Sequence, residues 1–285
     1  MPSSDFETSA CRTLTNPIRA TLRSYESDMQ INLIDVGATG GLQLPWSSRQ
    51  DIIGTKLSFE PNEPVLIEPG NLRYNTAVWN YDGEAEFTIL GEGGMGSSLL
   101  QPNVEWVEAN FDMLKKEGDP ALAATFLDRC KPKGTLRCEV RKLDTILSEL
   151  RSRADVPRFH FLKSDTQSGE WFVLDGARQY LSEQCLGLEL ECYRYPLYKG
   201  MRLQNEVFEL LDEYGFDRWG WTGYQYSFNS QSEYLFLKRG VSGEEKKTVD
   251  AIRALYNTSG PNSIINLRGR SFKERVKDRL GRMFS

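Results

Sequence analysis

Two stretches of this chain place charged side chains where an α/β sheet does chemistry. In the first, the apolar residues 31–34 lead into Asp35-Val36-Gly37-Ala38-Thr39-Gly40-Gly41, and Phe59-Glu60-Pro61 follows one strand later. Glycines let the backbone approach a ligand closely, and an acid ending the next strand can bind both hydroxyls of a ribose. In the second, Lys163-Ser164-Asp165 ends the apolar and aromatic residues 159–162, and Glu191 ends the apolar run 185–190. A carboxylate there can accept a proton from a substrate hydroxyl, and a lysine can stabilise the developing oxyanion. The competing reading of Lys163 and Asp165 is an ion pair that only shapes the loop.

The surrounding pattern predicts how these groups are positioned. Strands are expected at 31–36, 56–60, 73–78 and 84–90, the last as a hairpin partner after the turn Asp82-Gly83. Pro45 and Gly54 bracket an expected helix at 45–53. Helices rich in Trp, Phe and Leu are expected at 103–116 and 120–130, as an insertion at about 101–135. A short strand at 139–143, a helix at 144–150, a strand at 159–162 and a helix at 171–180 follow. The remainder reads as a strand at 185–190, a helix at 206–214 and an antiparallel pair at 217–222 and 233–238. This order implies a doubly wound, mostly parallel α/β sheet of seven strands, with a late antiparallel pair. Ligands of such sheets sit at the carboxyl ends of the strands, which here are 35–41, Glu60, 78–80, 163–165 and 191–193.

The glycine loop also limits which nucleoside can bind. A dinucleotide fingerprint needs glycine at 37, 39 and 42, where this chain has Gly37, Thr39 and Leu42. Pro45 delays the helix that would dock a pyrophosphate, and the chain has no GxxxxGK[ST] loop. S-adenosyl-L-methionine, a nucleoside without phosphate, meets what remains: a loose glycine loop for its amino-acid end and Glu60 for its ribose.

With these segments the chain resembles the FkbM-type methyltransferases, which are S-adenosylmethionine-dependent enzymes of the class I, Rossmann-like fold. The resemblance runs over about residues 30–240. It rests on 35–41, Ser58-Phe59-Glu60-Pro61, Asn75-Thr76-Ala77-Val78, Ser97-Ser98-Leu99, Leu143-Asp144 and, most specifically, Leu162-Lys163-Ser164-Asp165-Thr166-Gln167-Ser168-Gly169-Glu170. It implies cofactor contacts from Asp35, Gly37, Ala38, Thr39, Gly40, Gly41, Glu60, Pro61, Ala77, Val78, Ser97, Ser98 and Asp165. Ser97 and Ser98 would belong to a flap over the cofactor. Asp165, Lys163 and Glu191 would be catalytic, transferring methyl to a hydroxyl of a glycan or small-molecule natural product. The family usually has Asn at Thr39 and Gly at Ser168, where a non-glycine tolerates positive φ poorly. A different class remains in view, a non-catalytic module of the same fold that recruits partners through its C-terminal tail.

Other candidates read as bland. His160 has a pKa suited to proton transfer, but five residues of extended strand put it about 16 Å from Asp165; a satisfied core histidine is expected. Asp165 with Glu191 offers two acids and no evident third ligand, so no metal site is expected. The five cysteines have no CxxC spacing, and His160 is the single histidine.

Charge separates the tail from the body. Seven Arg/Lys from Arg268 to Arg282 stand against Glu274 and Asp278, whereas the whole chain carries −5. The acidic body argues against nucleic-acid binding. Phe272, Val276, Leu280 and Met283 share one helical face, so Arg268 to Ser285 reads as a basic helix docked on the body, on a membrane surface or on a protein partner. Residues 1–29 read as an extension with a short helix from Asn16-Pro17, 30–240 as the catalytic domain and 241–285 as a helical, basic extension. With no long apolar run and no signal-like start, a cytoplasmic location is expected, peripheral at a membrane surface if the tail binds one.

Overall fold

The computed structural model describes residues 30–258, apart from 92, 93, 95, 154 and 155, together with 265 and 266. The expected helices after Asn16 and across 268–285 lie outside the described residues. In chain order the strands are β1 (Ile31–Val36), β2 (Ile53–Phe59), β3 (Leu66–Glu68), β4 (Asn71–Tyr74), β5 (Thr76–Val78), β6 (Gly83–Leu90), β7 (Pro132–Arg141), β8 (Phe161–Ser164), β9 (Gly187–Tyr193), β10 (Phe216–Trp221), β11 (Gln231–Lys238) and β12 (Ile265–Asn266). The helices are α1 (Val104–Leu114), α2 (Pro120–Ala124), α3 (Phe126–Arg129), α4 (Leu143–Arg153), α5 (Glu170–Asp175), α6 (Arg178–Glu183), α7 (Gln204–Glu213) and α8 (Gly243–Thr258).

A large sheet runs β12-β10-β11-β9-β8-β1-β2-β4-β3, parallel from β9 to β4 and antiparallel at both flanks. Alternation along its central strands sorts side chains onto two faces. Even-numbered Ile34, Val36, Leu162, Leu188 and Leu190 pack under α4 to α7 through Leu147, Leu174, Leu181 and Leu211. Odd-numbered Ile31, Leu33, Phe161, Leu235 and Leu237 pack under α8 through Val249, Ile252, Leu255 and Tyr256. Each such apolar side chain, fully buried, is worth roughly 1.5–3 kcal/mol. Helices therefore cover both faces, which is why the central strands read as unbroken apolar runs.

Several local expectations are corrected. The sheet has nine strands rather than seven, because short β3 and β12 extend its edges, and β5-β7-β6 form a separate sheet. The single strand expected at 73–78 breaks at Asn75, whose Nδ2 donates to the carbonyls of Pro61 (2.9 Å) and Glu63 (2.8 Å). That bend leaves β4 beside β2 and sends β5 to β7. β6 pairs with ten-residue β7, of which only the end was legible as a strand. No α-helix forms at 45–53; two 3₁₀ turns replace it, and Trp46 is buried against Phe161 with ring centroids 4.7 Å apart. The helix expected at 171–180 breaks at Gly176, where a Cβ would lie 1.9 Å from the Trp79 carbonyl oxygen. The 120–130 helix likewise divides into α2 and α3. Among the described residues, no helix is long and apolar enough to cross a membrane.

Candidate active site

The strand order reverses between β1 and β8, and a crevice opens at their carboxyl ends. Backbone bonds lace that rim together. Gly37 N and Ala38 N donate to Phe59 O (3.0 and 3.2 Å), Asp165 N to Val36 O (3.0 Å) and Glu60 N to Tyr74 O (3.1 Å). The rim opens onto a cavity of about 630 Å³.

Of the residues singled out from sequence, Gly37, Thr39, Gly40, Glu60, Pro61, Ala77, Val78, Ser97, Lys163, Asp165 and Glu191 line this cavity. Asp35, Ala38, Gly41 and Ser98 do not. Asp35 sits beneath it, 1% exposed, with Oδ1 3.9 Å from Lys163 Nζ and no hydrogen bond. Burial raises its pKa, against the lowering pull of Lys163. Asp35 is therefore a charge partner of Lys163 rather than a loop cap. Ala38 is buried, and Gly41 is exposed on the outer turn of the loop. Ser98 Oγ donates to Gln167 O (3.0 Å) and accepts from Leu100 N (3.1 Å), tying the glycine-rich segment to the turn after β8. Ser97 Oγ donates to Gly94 O and accepts from Leu90 N, closing its own loop.

Glu60 is held for work on its outer face. Its Oε2 accepts from Thr39 Oγ1 (2.8 Å) and its Oε1 from Asn62 N (3.0 Å). Burial raises its pKa, while those two donors oppose the rise. Thr39 thus braces the carboxylate, a use for its hydroxyl that spacing alone did not suggest.

Register builds a two-layer charge array on the face covered by α8. Asp35, Lys163 and Glu189 are neighbours across β1, β8 and β9. One step nearer the cavity, Glu191 pairs with Glu233 of β11, and their carboxylates lie within 4.8 Å of that of Asp165. Gln167, absent from the sequence candidates, binds this upper layer together. Its Nε2 donates to Asp165 Oδ1 (2.9 Å) and Glu191 Oε2 (3.0 Å), and its Oε1 accepts from the Tyr193 hydroxyl (3.1 Å). The one Tyr193 hydroxyl proton is shared between that oxygen and Glu191 Oε2 (2.8 Å), and Gln231 Nε2 donates to Glu191 Oε1. Burial and the nearby Asp165 charge push the Glu191 and Glu233 pKa values well up. Three carboxylates this close disfavour one another's charged forms. Glu233 is the third acid that the sequence reading lacked; only strand register reveals it.

For Lys163 the largest influence, burial, would lower the pKa. The carboxylates of Asp165, Asp35, Glu189 and Glu233 outweigh it, so the ammonium stays charged. Glu170 is buried beneath the turn, where Oε1 accepts from Thr166 N (2.7 Å) and Thr166 Oγ1 (3.0 Å). Burial pushes its pKa up to about 8. His160 is the satisfied histidine expected: Nδ1 accepts from Asn32 N (3.1 Å), and burial lowers its pKa to about 4.

The turn after β8 is strained. Gln167 and Ser168 adopt φ of 53° and 79°, and buried Ser168 Oγ has no hydrogen-bond partner. Such a φ in a non-glycine costs of order 1 kcal/mol or more. Ser168→Gly is expected to raise stability by about 1 kcal/mol, seen in thermal unfolding as a Tm increase of about 2–4 °C. An unchanged or lower Tm would contradict the strain.

Residues 35–218 match the family described as Methyltransferase FkbM domain. The chain belongs to the FkbM methyltransferase family. No curated protein matches it in sequence. Among solved structures it is similar to a methyltransferase FkbM from Methylobacillus flagellatus KT, with 11% identity and a TM-score of 0.41, over 73% of this chain and 43% of that one. The chain thus spans less than half the length of that protein, and a likeness of this size carries no weight below. The family match ends within β10, so β11, Glu233 and α8 lie beyond it.

The far half of the cavity is walled by Leu90, Leu122, Phe126, Leu197, Tyr198 and Tyr226, with Arg129 at its side. These come from β6, the helical insertion, the loop after β9 and the loop after β10. The cavity therefore has a carboxylate-rich end at the strand termini and an apolar, aromatic end at the insertion.

Proposed function

We propose that this methyltransferase uses S-adenosyl-L-methionine to methylate a hydroxyl, on a sugar of a glycan or on a small-molecule natural product. The observation that carries the reading is the convergence of Glu60, Lys163, Asp165 and Glu191 on one cavity at the sheet's switch point. The donor set suits the cofactor. Glu60 keeps acceptor capacity for ribose hydroxyls, apolar Ala77 and Val78 suit a base, and the excess of carboxylates suits a cationic sulfonium and ammonium. When bound, S-adenosylmethionine supplies an electrophilic methyl group, leaving the protein to align the acceptor and remove its proton.

The chain's own residues divide that work. Asp165 takes the hydroxyl proton as the acceptor oxygen attacks. Lys163 lowers the energy of the charge developing on that oxygen. Glu191, its pKa raised by burial and the Asp165 charge, orients Gln167 and the acceptor while Asp165 serves as base. The apolar end excludes water and holds the acceptor's body. Residues 268–285 are the segment for peripheral membrane or protein contact in a cytoplasmic enzyme.

Equilibrium binding of S-adenosylhomocysteine tests the reading. Glu60→Ala removes charge-assisted bonds worth about 1.5–3 kcal/mol each, so affinity should fall roughly tenfold to more than a hundredfold. No binding to the wild type, or full affinity in Glu60→Ala, would leave the fold as a non-catalytic module.

A further inference from the structure

Behind the lower charge layer lies a buried polar chain that the proposed chemistry does not use. Glu189 is 6% exposed and neighbours Lys163 in register. Its Oε2 accepts from the Tyr256 hydroxyl of α8, and that hydroxyl accepts from Trp46 Nε1 at 2.8 Å. Tyr256 and Trp46 are buried in an otherwise apolar layer of Ile31, Leu33, Phe161, Leu235 and Ile252. Phenylalanine would fill that volume without the cost of desolvating a hydroxyl, so packing alone does not account for Tyr256. Nor does packing within the sheet need Glu189, whose partner on β11 is the apolar Leu235 and whose partner on β8 is Lys163 itself.

The consequence falls on Lys163. Its ammonium lies on the cavity floor, 3.9 Å from Asp35 Oδ1, attracted most by Asp165 and then by Asp35 and Glu189. A direct Lys163–Glu189 ion pair is the obvious competing arrangement, because adjacent strands bring the two side chains together. We infer that Tyr256, braced by Trp46, is a positioning residue for Lys163: it ties the Glu189 carboxylate back toward α8, so the ammonium stays balanced between Asp35 and Glu189 and presented to the cavity. The use of that ammonium in catalysis rests on the proposed function; its placement does not. The segment following the matched family domain thereby reaches, along the sheet face it covers, the lysine that lines the cavity.

Tyr256→Phe removes one hydroxyl and keeps the ring. Its crystal structure should show Lys163 Nζ drawn within hydrogen-bond distance of Glu189. The kcat of methyl transfer should fall about tenfold, because a charge stabiliser of the transition state has moved away. KM and S-adenosylhomocysteine affinity should stay within about twofold. Adding Glu189→Gln to Tyr256→Phe should restore most of kcat, since a neutral amide no longer draws the ammonium. A merely structural role for Tyr256 would lower Tm without this rescue. Lys163 unmoved in Tyr256→Phe, or no recovery in the double variant, overturns the inference. A wild type that neither binds S-adenosylhomocysteine nor transfers methyl overturns the proposed function instead, and the crystal structure of Tyr256→Phe still decides the positioning.

Discussion

Gly37→Ala should be the most damaging single-methyl change in this protein. Gly37 has φ of +78°, and a Cβ built on it would lie 1.9 Å from the Asp165 carbonyl oxygen and 2.8 Å from its carbonyl carbon. Both obstacles are backbone, held by the bonds from Gly37 N to Phe59 O and from Asp165 N to Val36 O, so neither can swing aside. The added carbon must force β1 and β8 apart where Asp165, Gln167 and Lys163 are anchored. A cost of about 3 kcal/mol or more is expected, with S-adenosylhomocysteine binding lost. Gly40→Ala supplies the control. Its φ of +73° is equally left-handed, but nothing lies within 4 Å of the added carbon. Only the conformational penalty of about 1–2 kcal/mol applies there. Equal destabilisation of the two variants in urea would show that close approach is not what Gly37 provides.

Asp165→Asn should separate binding from chemistry. Asparagine keeps the shape and the Oδ1 that accepts from Gln167 Nε2, so the turn and the cavity persist. It cannot take the acceptor's proton. With general-base catalysis worth 10²–10⁴-fold, kcat should fall by about that factor, while S-adenosylhomocysteine affinity changes far less. Single-turnover methyl transfer from labelled S-adenosylmethionine measures the chemical step directly. A loss below about tenfold would move the proton acceptor to Glu191, the next carboxylate on the cavity wall.

Much of the architecture was legible because parallel strands covered on both faces must be apolar throughout. The runs at 31–36, 159–162 and 185–190 announced β1, β8 and β9 without any partner being known. Their carboxyl ends were therefore legible too, and Glu60, Lys163, Asp165 and Glu191 meet at one cavity. Elements whose form depends on distant atoms were not. The helix expected behind Pro45 fails because Trp46 is drawn into the core against Phe161 and Tyr256, far away in sequence. The break at Gly176 exists only because the Trp79 carbonyl lies against it. Asn75 looked like an ordinary strand residue until its carbonyl partners were in place.

Ser168 shows the boundary within one residue. Its departure from the family's glycine signalled positive φ, and the turn does adopt it. That its hydroxyl would be buried without a partner could not be read from the chain. Likewise, alternation along β9 placed Glu189 and Glu191 on one face, but their opposite circumstances came from different neighbours. Glu191 meets Gln167, Gln231 and Tyr193, whereas Glu189 meets Tyr256.

The sequence by itself determined the α/β fold class, the strand ends that form the switch-point site and the charged groups Glu60, Lys163, Asp165 and Glu191 that line it, since periodicity and strand-end chemistry are local properties. Only the tertiary structure decided which groups come together: Asp35 beside Lys163, Glu233 beside Glu191, and Tyr256 behind Glu189. Register and helix docking join residues from opposite ends of the chain, and electrostatic energy depends on those through-space distances rather than on separation along the backbone.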